Sequence, residues 1–578
     1  MKNSEIAAIF YAIADILEMQ NVQWKPQAYR RVARAIESLS KDVQDLYNEK
    51  RMKGLLEIAG VGEGLAKKIA EYIETGKVNE YEKLKKSLPK GLSELLEISG
   101  MGPKKAKILY NELKVQSISD LEKVANVHEI AKLKGFGQKS EENILKGIEL
   151  FKRGRERMYL GNALAHANMI ISQLKKIGGV NHIEAAGSLR RRRETVGDID
   201  ILVTTKNQKA TNEVMDVFTS LQDVAEILAK GQTKSAVLLK NGIQTDVRVL
   251  KDEEFGSALQ YFTGSKEHNI AVRTIAIKKG MKLSEYGLFK GSKKIAGEDE
   301  EGIYKALGMQ MIPSEMRENT GEIEAAIKGN LPKVIEYDEI KGDFHVHTTD
   351  SDGDNTVEEV VNKALDLGYE YICITDHSKA EHIANGMTEE RLLKQISEIE
   401  ALNKKFKSKN FRIFTGCEVS IKTNGDLDFE DEILKKLDIV IGSVHSGFKS
   451  SKEKMTERIS NAMDNRYMKI FAHPTGRIIN QRPGYEVDLE KIFEKAKDKN
   501  IVMEINAYQK RLDLDGSNIR KALQYGLKLA IGTDSHNIET MERIDLGVAT
   551  ARRGWAKKKD ILNTYSIKDV MKFFKIKG

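Results

Sequence analysis

The sequence predicts a multidomain chain of mixed class: helical at its N-terminus, α+β in its middle, and α/β with a parallel barrel at its C-terminus. Three observations predict it. A hydrophobic frame around a Gly-x-Gly turn recurs three times before residue 150. Two segments, Asp198 to Val203 and Ile243 to Val249, alternate apolar and polar residues as half-buried strands do. From about residue 341 onward, short buried-strand runs alternate with helical stretches, which implies a parallel sheet closed into a barrel. At 578 residues the chain is too long for one core, and a prior of ~150 residues per domain gives about four domains.

The repeats come first. LLEIAGVGEGLAKKI at Leu55 to Ile69 matches LLEISGMGPKKAKIL at Leu95 to Leu109, and IAKLKGFGQKSEENI at Ile130 to Ile144 is a weaker copy. Each places a turn between two apolar-periodic helices, with Gly60 and Gly62 in the first copy and Gly100 and Gly102 in the second. The helix that follows aims its N-terminal amides outward, where they bind phosphate without reading bases. Lys67, Lys68, Lys104, Lys105 and Lys107 add positive charge. One Gly-x-Gly alone would be a tight turn; the repeated frame favours the binding reading. Thr75-Gly76 ends the first hairpin helix, and mixed-sign helices such as Glu71 to Lys86 read as solvated faces.

The middle region opens with a helix over Leu160 to Leu174. AGSLRRRRETVGDIDILV, Ala186 to Val203, then joins a Gly-Ser turn and an arginine run to a strand carrying Asp198 and Asp200. Residues two apart on a strand share a face, so both carboxylates point one way while Ile199 and Ile201 face the core. Asp246 projects from the polar face of the later strand. Three carboxylates on two adjacent strands can hold two magnesium ions, and Ser188, Arg191 and the amides near Gly187 can hold a triphosphate. Asp-x-Asp alone is as often a solvated face; the Gly-Ser turn, the arginines and the third aspartate shift the balance.

In the last region the apolar runs Tyr371 to Ile374, Ile439 to Ile441 and Leu529 to Ile531 read as buried parallel strands, with helices such as Val357 to Leu367 and Glu389 to Leu402 between them. The motifs DFHVHTTDSDG, ITDHS, TGCEVS, GSVHS, FAHPTG and GTDSH follow expected strand ends. They supply His345, His347, Asp352, His377, Glu418, His445, His473, Asp534 and His536, and six of the 11 histidines of the chain fall in them. Neutral imidazoles and carboxylates without thiolates suit zinc, manganese or iron in an open site, where such ions activate water and stabilise both oxygens of a displacement at phosphorus.

Composition adds modest constraints. Lys plus Arg is 94 against Asp plus Glu 86, a net charge of +8 that does not by itself establish nucleic-acid binding. The charge is unevenly placed, with Arg190 to Arg193 in a run and lysines crowding the repeats. Two cysteines, Cys373 and Cys417, exclude a disulfide framework and fit a reducing compartment. The N-terminus is amphipathic and acidic rather than signal-like, and no apolar stretch approaches the ~20 residues of a membrane span. A soluble, cytoplasmic protein is expected.

With these motifs in view, the chain resembles the X family of DNA polymerases with a C-terminal PHP (polymerase and histidinol phosphatase) domain, over essentially its whole length. The repeats look like helix-hairpin-helix modules. The palm resemblance rests on the Gly-Ser turn and the three aspartates, and continues through Tyr261, Phe262, Thr263, Gly264, Ser265, Asn269 and Arg273. It implies Asp198, Asp200 and Asp246 as ligands of Mg2+ (or Mn2+). It implies nucleotide contacts from Gly187, Ser188, Arg191, Gly197, Tyr261, Phe262, Gly264, Asn269 and Arg273, with the aromatic turn crowding a ribose 2′-hydroxyl. The PHP resemblance implies a seven-stranded barrel and three ions of Zn2+, Mn2+ or Fe: one on His345, His347, Glu418 and Asp534, one on Glu418, His445 and His473, and one on Asp352, His377 and His536. Related domains often read Glu-Val-Asp where this chain has Glu418, Val419 and Ser420. Lys68 aligns with a Schiff-base lysine of lyase domains, and Lys25, Tyr29 and Arg30 resemble their 5′-phosphate pocket. Gly64 replaces a basic residue there, so a lyase-active and a lyase-silent DNA-binding domain both stay open.

The expected layout is a helical DNA-binding domain at 1–85, further hairpin repeats at 86–154, a nucleotidyltransferase palm at 155–252, a thumb-like domain at 253–318, a linker at 319–340 and the barrel at 341–578. The resemblance implies a monomer that takes gapped or nicked DNA and deoxynucleoside triphosphates, with no membrane. It would fill short gaps in repair, and its barrel would degrade DNA from 3′ ends, with abasic-site cleavage and 3′-phosphate removal as further expectations. The alternatives are a catalytically silent barrel and a non-catalytic DNA-binding scaffold.

Overall fold

The computed structural model describes residues 157–577 except 407–409 and, with breaks at 20–21, 38, 40–42, 59, 88–94, 96–100, 102, 134, 139, 143 and 146, residues 2–148. Among the described residues no helix is long and apolar enough to cross a membrane.

The first helices, Lys2–Met19 and Lys25–Glu37, pack through Ile6, Phe10, Ile13, Tyr29, Val32 and Ile36 against Ile69 of the helix Glu63–Thr75. That helix stops where expected, because Gly76 at φ +71° forms a left-handed cap. A second helix, Asn79–Ser87, starts after the turn and crosses the boundary drawn at 85. A second small core gathers Met101, Leu109, Leu121, Ile130, Ile144 and Ile148 from the later repeats.

The palm opens with a short ribbon, β1 (Met158–Tyr159) paired with β3 (Thr195–Val196), which straps the start of the next helix to the arginine run. Its main sheet has five strands: β2 (Val180–Ala185), β4 (Asp198–Thr205), β5 (Val224–Lys230), β6 (Lys234–Leu239) and β7 (Gln244–Leu250), in the order β2-β4-β7-β6-β5. Only β4 and β7 run parallel, with Asp200 opposite Asp246. The helix Leu160–Leu174, as expected, buries Ala163, Ala167 and Ile170 against one sheet face.

Next comes a small domain with a three-stranded antiparallel sheet, β8 (Lys282–Ser284), β9 (Gly287–Lys290) and β10 (Lys293–Ala296), under the helices Lys266–Lys278 and Glu300–Ala306. Residues 319–340, expected as a linker, are built into this core. Their helix Glu322–Ile327 buries Ile323 and Ala326 among Leu288, Ile303 and Ile312, and Glu322 receives a 2.7 Å bond from the buried His268 Nδ1. Gly329, Asn330 and Pro332 mark the end of that helix rather than a flexible tether.

The C-terminal region is the expected barrel: β11 (Gly342–Val346), β12 (Tyr371–Ile374), β13 (Arg412–Ser420), β14 (Ile439–Ser443), β15 (Met468–Phe471), β16 (Val502–Asn506) and β17 (Leu529–Gly532), parallel and in sequence order. Its ends meet where Asp534 N donates to His345 O at 2.8 Å and His347 N to Ser535 O at 2.9 Å. Phe344, Tyr371, Cys373, Phe414, Ile441 and Ile470 form one cluster with Phe574, so the C-terminal helix Ile567–Phe574 closes one end of the barrel. Both cysteines are buried and free.

Nothing in the sequence marks the core that palm and barrel share. Leu512 and Leu546 of the barrel region belong to the palm cluster, and a Cβ on Gly161 would lie 2.7 Å from Gln509 Oε1. The barrel is docked on the palm rather than tethered to it.

Candidate active sites

Strand alternation and the parallel barrel bring the barrel residues together. His345 and His347, two apart across the end of β11, point the same way with ring centroids 5.1 Å apart. Glu418 lies between them and the opposite wall. Its Oε2 is 3.4 Å from His345 Nε2 and 3.7 Å from His347 Nε2. Its Oε1 is 2.8 Å from His473 Nε2 and 3.0 Å from His445 Nε2, as a bridging ligand requires. Asp534 Oδ1 is 3.2 Å from His347 Nε2, and Asp352 lies 3.3 Å from His536 Nε2 and 3.7 Å from His377 Nε2. His347 and His377 sit between sets rather than within one, since His377 Nδ1 also reaches Glu418 at 2.9 Å and His347 Nδ1 faces Asp352 at 3.9 Å.

The electrostatics describe a cation site. Burial opposes the charge on Glu418, yet the imidazoles of His445, His377 and His345 outweigh it and hold its carboxyl well below the usual range. The same contest leaves Asp534 well below its ordinary value. Burial and the neighbouring His377 and His536 push His347 down to about 3, which leaves its ring neutral and able to ligate. The Nε2 atoms of His345 and His347 are buried without hydrogen-bond partners, and the donor set contains no thiolate, so the residues fit divalent transition metals.

Sequence reasoning missed the residues behind these ligands. Glu504 of β16 accepts from His345 Nδ1 at 2.6 Å and from His473 N at 2.7 Å, which turns Nε2 of His345 toward the mouth. Asn506 donates to both Glu504 and Asp534 at 3.1 Å. Asp376 accepts from Thr348, Ser351 and Gln395 beneath the Asp352 loop. Arg511 places Nε 3.5 Å from Asp534 Oδ2 and lines the cleft of about 720 Å³ above the ligands. The alternation of Glu504 and Asn506 in VMEIN repeats that of His345 and His347, a signal available in the sequence. Ser420 bonds His445 Nδ1 at 2.9 Å and so helps to fix that ring.

In the palm, register does the positioning. Asp198 and Asp200 share one face of β4, and Asp246 is the direct neighbour of Asp200 on β7. Burial, then Asp198 and Asp246, raise the Asp200 carboxyl to about 7, the signature of like charges awaiting a cation. The three are less tightly gathered than the barrel ligands: Asp246 is held by Lys234 at 3.0 Å and Gln244 at 2.8 Å. Gly187, at φ +65°, lies so close that a Cβ would sit 2.8 Å from Asp200 Oδ2, and Ser188 Oγ is buried without a partner. A Cβ on Gly197 would meet Arg157 at 2.9 Å. These features fit a metal-bound phosphate cradle.

The aromatic turn is braced from below. Tyr261 and Phe262 meet edge to face at 5.1 Å, and Arg248 lies 4.5 Å over the Phe262 ring. Asn269 donates to Tyr261 O at 2.6 Å and accepts from Gln260, while Arg273 Nε donates to Asn269 O at 3.3 Å. Arg191, expected on a triphosphate, donates to Thr263 O and pairs with Glu318 at 3.2 Å, next to Gly264. Asn269 and Arg191 thus hold the turn from within the protein, because both are committed to partners there.

At the N-terminus, Gly60 adopts φ +83° and Gly62 starts the helix Glu63–Thr75 with open space around it, leaving that helix end accessible. Gly100 and Gly102 lie outside the described residues. Lys68 pairs with Glu80 at 3.0 Å, and Tyr29 donates to the same carboxylate at 2.8 Å. Lys25 adds a cationic field at Glu80. Arg30 is not part of this cluster: consecutive helical residues point about 100° apart, and it pairs with Asp15 and Glu18 instead.

Family models match in the same order as these structures. Residues 1–78 match a helix-hairpin-helix domain, 92–149 a SAM-like helix-hairpin-helix tandem, 160–249 the DNA polymerase beta palm, 258–318 the DNA polymerase beta thumb and 343–508 the PHP domain. The chain is 38% identical to a "DNA polymerase/3′-5′ exonuclease PolX" of Bacillus subtilis, over 100% of both chains. It is also 32% identical to a probable phosphatase of Thermoanaerobacter, over 38% of this chain and 89% of that protein, and 30% identical to one of Clostridium novyi, over 35% and 82%. A match across the full length, through palm, thumb and PHP domain alike, places this chain in the X family of DNA polymerases with a C-terminal PHP domain.

Proposed function

We propose that the chain extends 3′ ends in short DNA gaps with deoxynucleoside triphosphates, and that its barrel removes nucleotides from 3′ ends by hydrolysis. The observation that carries this is the presence of two separate clusters in one chain, the carboxylates Asp198, Asp200 and Asp246 in the palm and the imidazoles and carboxylates of the nine barrel residues centred on Glu418. Magnesium suits the oxygen-only palm set, and manganese, zinc or iron the imidazole-rich barrel. Such ions, when bound, activate water or a hydroxyl and neutralise charge on phosphoryl oxygens.

The chain's own groups orient the rest. Gly187 lets the backbone approach Asp200, and the neighbouring Ser188 Oγ is a buried hydroxyl without a hydrogen-bond partner. Tyr261 and Phe262, fixed by Asn269, form the wall against a sugar. In the barrel, Glu504 keeps the proton of His345 on Nδ1, so its other nitrogen faces the cleft. The open helix start at Gly62 supplies amides for a DNA phosphate. Lys68, whose Nζ pairs with Glu80 at 3.0 Å, is read as part of this DNA-binding surface.

Gapped-DNA turnover by two variants tests the assignment. Asp198→Ala abolishes incorporation and spares degradation, and His345→Ala does the reverse. Loss of both activities in either variant refutes the separate-centre reading.

A further inference from the structure

An ion pair joins the palm to the segment that carries Arg511 of the nuclease cleft. Glu194 closes the arginine run of the palm and is anchored by Leu160 N donating to its carbonyl at 3.1 Å. Its carboxylate meets Arg477 of the barrel region at 2.8 and 3.3 Å, a bidentate pair. Arg477 in turn donates from Nε to Arg511 O at 2.8 Å and from Nη2 to Leu512 O. Arg511 lines the cleft together with Arg482, Lys510 and Arg543, and of these it is the one paired with Asp534, at 3.5 Å.

The same segment is clamped from two more sides. Ile479 N donates to Lys510 O at 2.7 Å, and Tyr159 of the palm donates to Ile479 O at 3.0 Å. Asn480 donates to Arg157 O at 2.9 Å. On the far side Asp513 accepts from Thr475 N at 2.9 Å and Gly476 N at 3.0 Å, tying the segment to the loop that carries His473. Arg511 lies beyond the end of β16, outside the barrel sheet; its carbonyl hangs on Arg477, which is held by Glu194 of the palm at 2.8 Å and more loosely by Asp515 of its own region at 3.6 Å.

We propose that Glu194 is a positioning residue for the nuclease centre, acting through Arg477 to hold Arg511 where it meets a DNA phosphate. The nuclease site is therefore complete only while the barrel is docked on the palm. This rests on the reading of the barrel as a 3′-end nuclease. It accounts for an arginine at this mostly buried position: a planar, permanently charged fork can satisfy Glu194 of the palm and two carbonyls of the barrel region at once, whereas lysine cannot.

The experiment measures degradation of a single-stranded 3′-end oligonucleotide with manganese by the full-length protein and its Glu194→Gln, Arg477→Gln, Arg511→Gln and paired variants. Metal content and melting temperature are recorded for each. Glu194→Gln lowers kcat/KM about tenfold or more, chiefly through KM, because a displaced cation weakens phosphate binding. Metal content stays unchanged, Glu194→Asp recovers part of the loss, and Glu194→Gln adds nothing further in the Arg511→Gln background. Activity within about twofold of the parent in Glu194→Gln, or full additivity with Arg511→Gln, overturns the proposal. So does a loss of bound metal in Glu194→Gln, which would place the defect in the ligands. Persistence of degradation in His345→Ala would instead refute the nuclease reading itself.

Discussion

Glu504 shows how a residue with no direct role at the metal decides the site. Its carboxylate fixes the tautomer of His345 and the loop of His473 together, so one substitution disturbs two ligands. Glu504→Gln lowers metal affinity of the barrel by about 10- to 100-fold, measured by metal retention on dialysis, and leaves gap filling intact. The nine candidate ligands are all legible in the sequence, because imidazoles and carboxylates recurring just after strand runs point to little besides metal binding. Glu504 is far less so: its alternation with Asn506 in VMEIN is the only signal, and a single glutamate in an apolar strand carries no ligand motif. Arg30 departs from expectation for the opposite reason: neighbours in a motif need not be neighbours in space, and helical geometry separates Arg30 from Tyr29.

At the scale of elements, the junction between palm and small domain rests on a buried charge cluster. Glu300 lies between Arg190 of the palm, at 2.7 Å, and the fully buried Arg317. Burial works against ionisation of Glu300, but the two guanidinium groups outweigh it and hold its carboxyl at about 2, below its ordinary 4.5. A depressed folded value means the contribution is whole above about pH 4.5 and fades as pH falls through about 2. The stability gap between the parent and Glu300→Gln, from denaturant midpoints, therefore shrinks from about 3 kcal/mol at neutral pH as acid is added through that window. The expected strands at Tyr371, Ile439 and Leu529 and the helix Leu160–Leu174 all form, because their periodicity is strong. The expected linker is instead a helix of the small core: its breakers are visible in the sequence, but the apolar partners of Ile323 and Ala326 lie elsewhere in the chain.

For the whole molecule, docking is the main feature that no local pattern announces. Arg553 of the barrel donates to Arg191 O at 2.9 Å and pairs with Glu318 at 3.1 Å, beside the turn that contains Thr263. Leu512 and Leu546 complete the palm core. A chain ending at residue 340 therefore melts several degrees lower in its palm than the full chain, since each lost leucine contact costs about 2–5 kcal/mol, and calorimetry would show the shift. An unchanged palm transition would mean the shared core contributes nothing.

The sequence by itself determined the domain order, the fold classes, the palm aspartates and the barrel ligands, because each depends on local periodicity and on side chains whose chemistry is hard to mistake. Tertiary structure alone decided which groups hold those ligands, where the arginine run spends its charge, and that two catalytic regions lean on a common interface. Those outcomes depend on contacts between residues hundreds of positions apart, such as Glu194 with Arg477, and a pairing of that kind leaves no periodic trace in either segment.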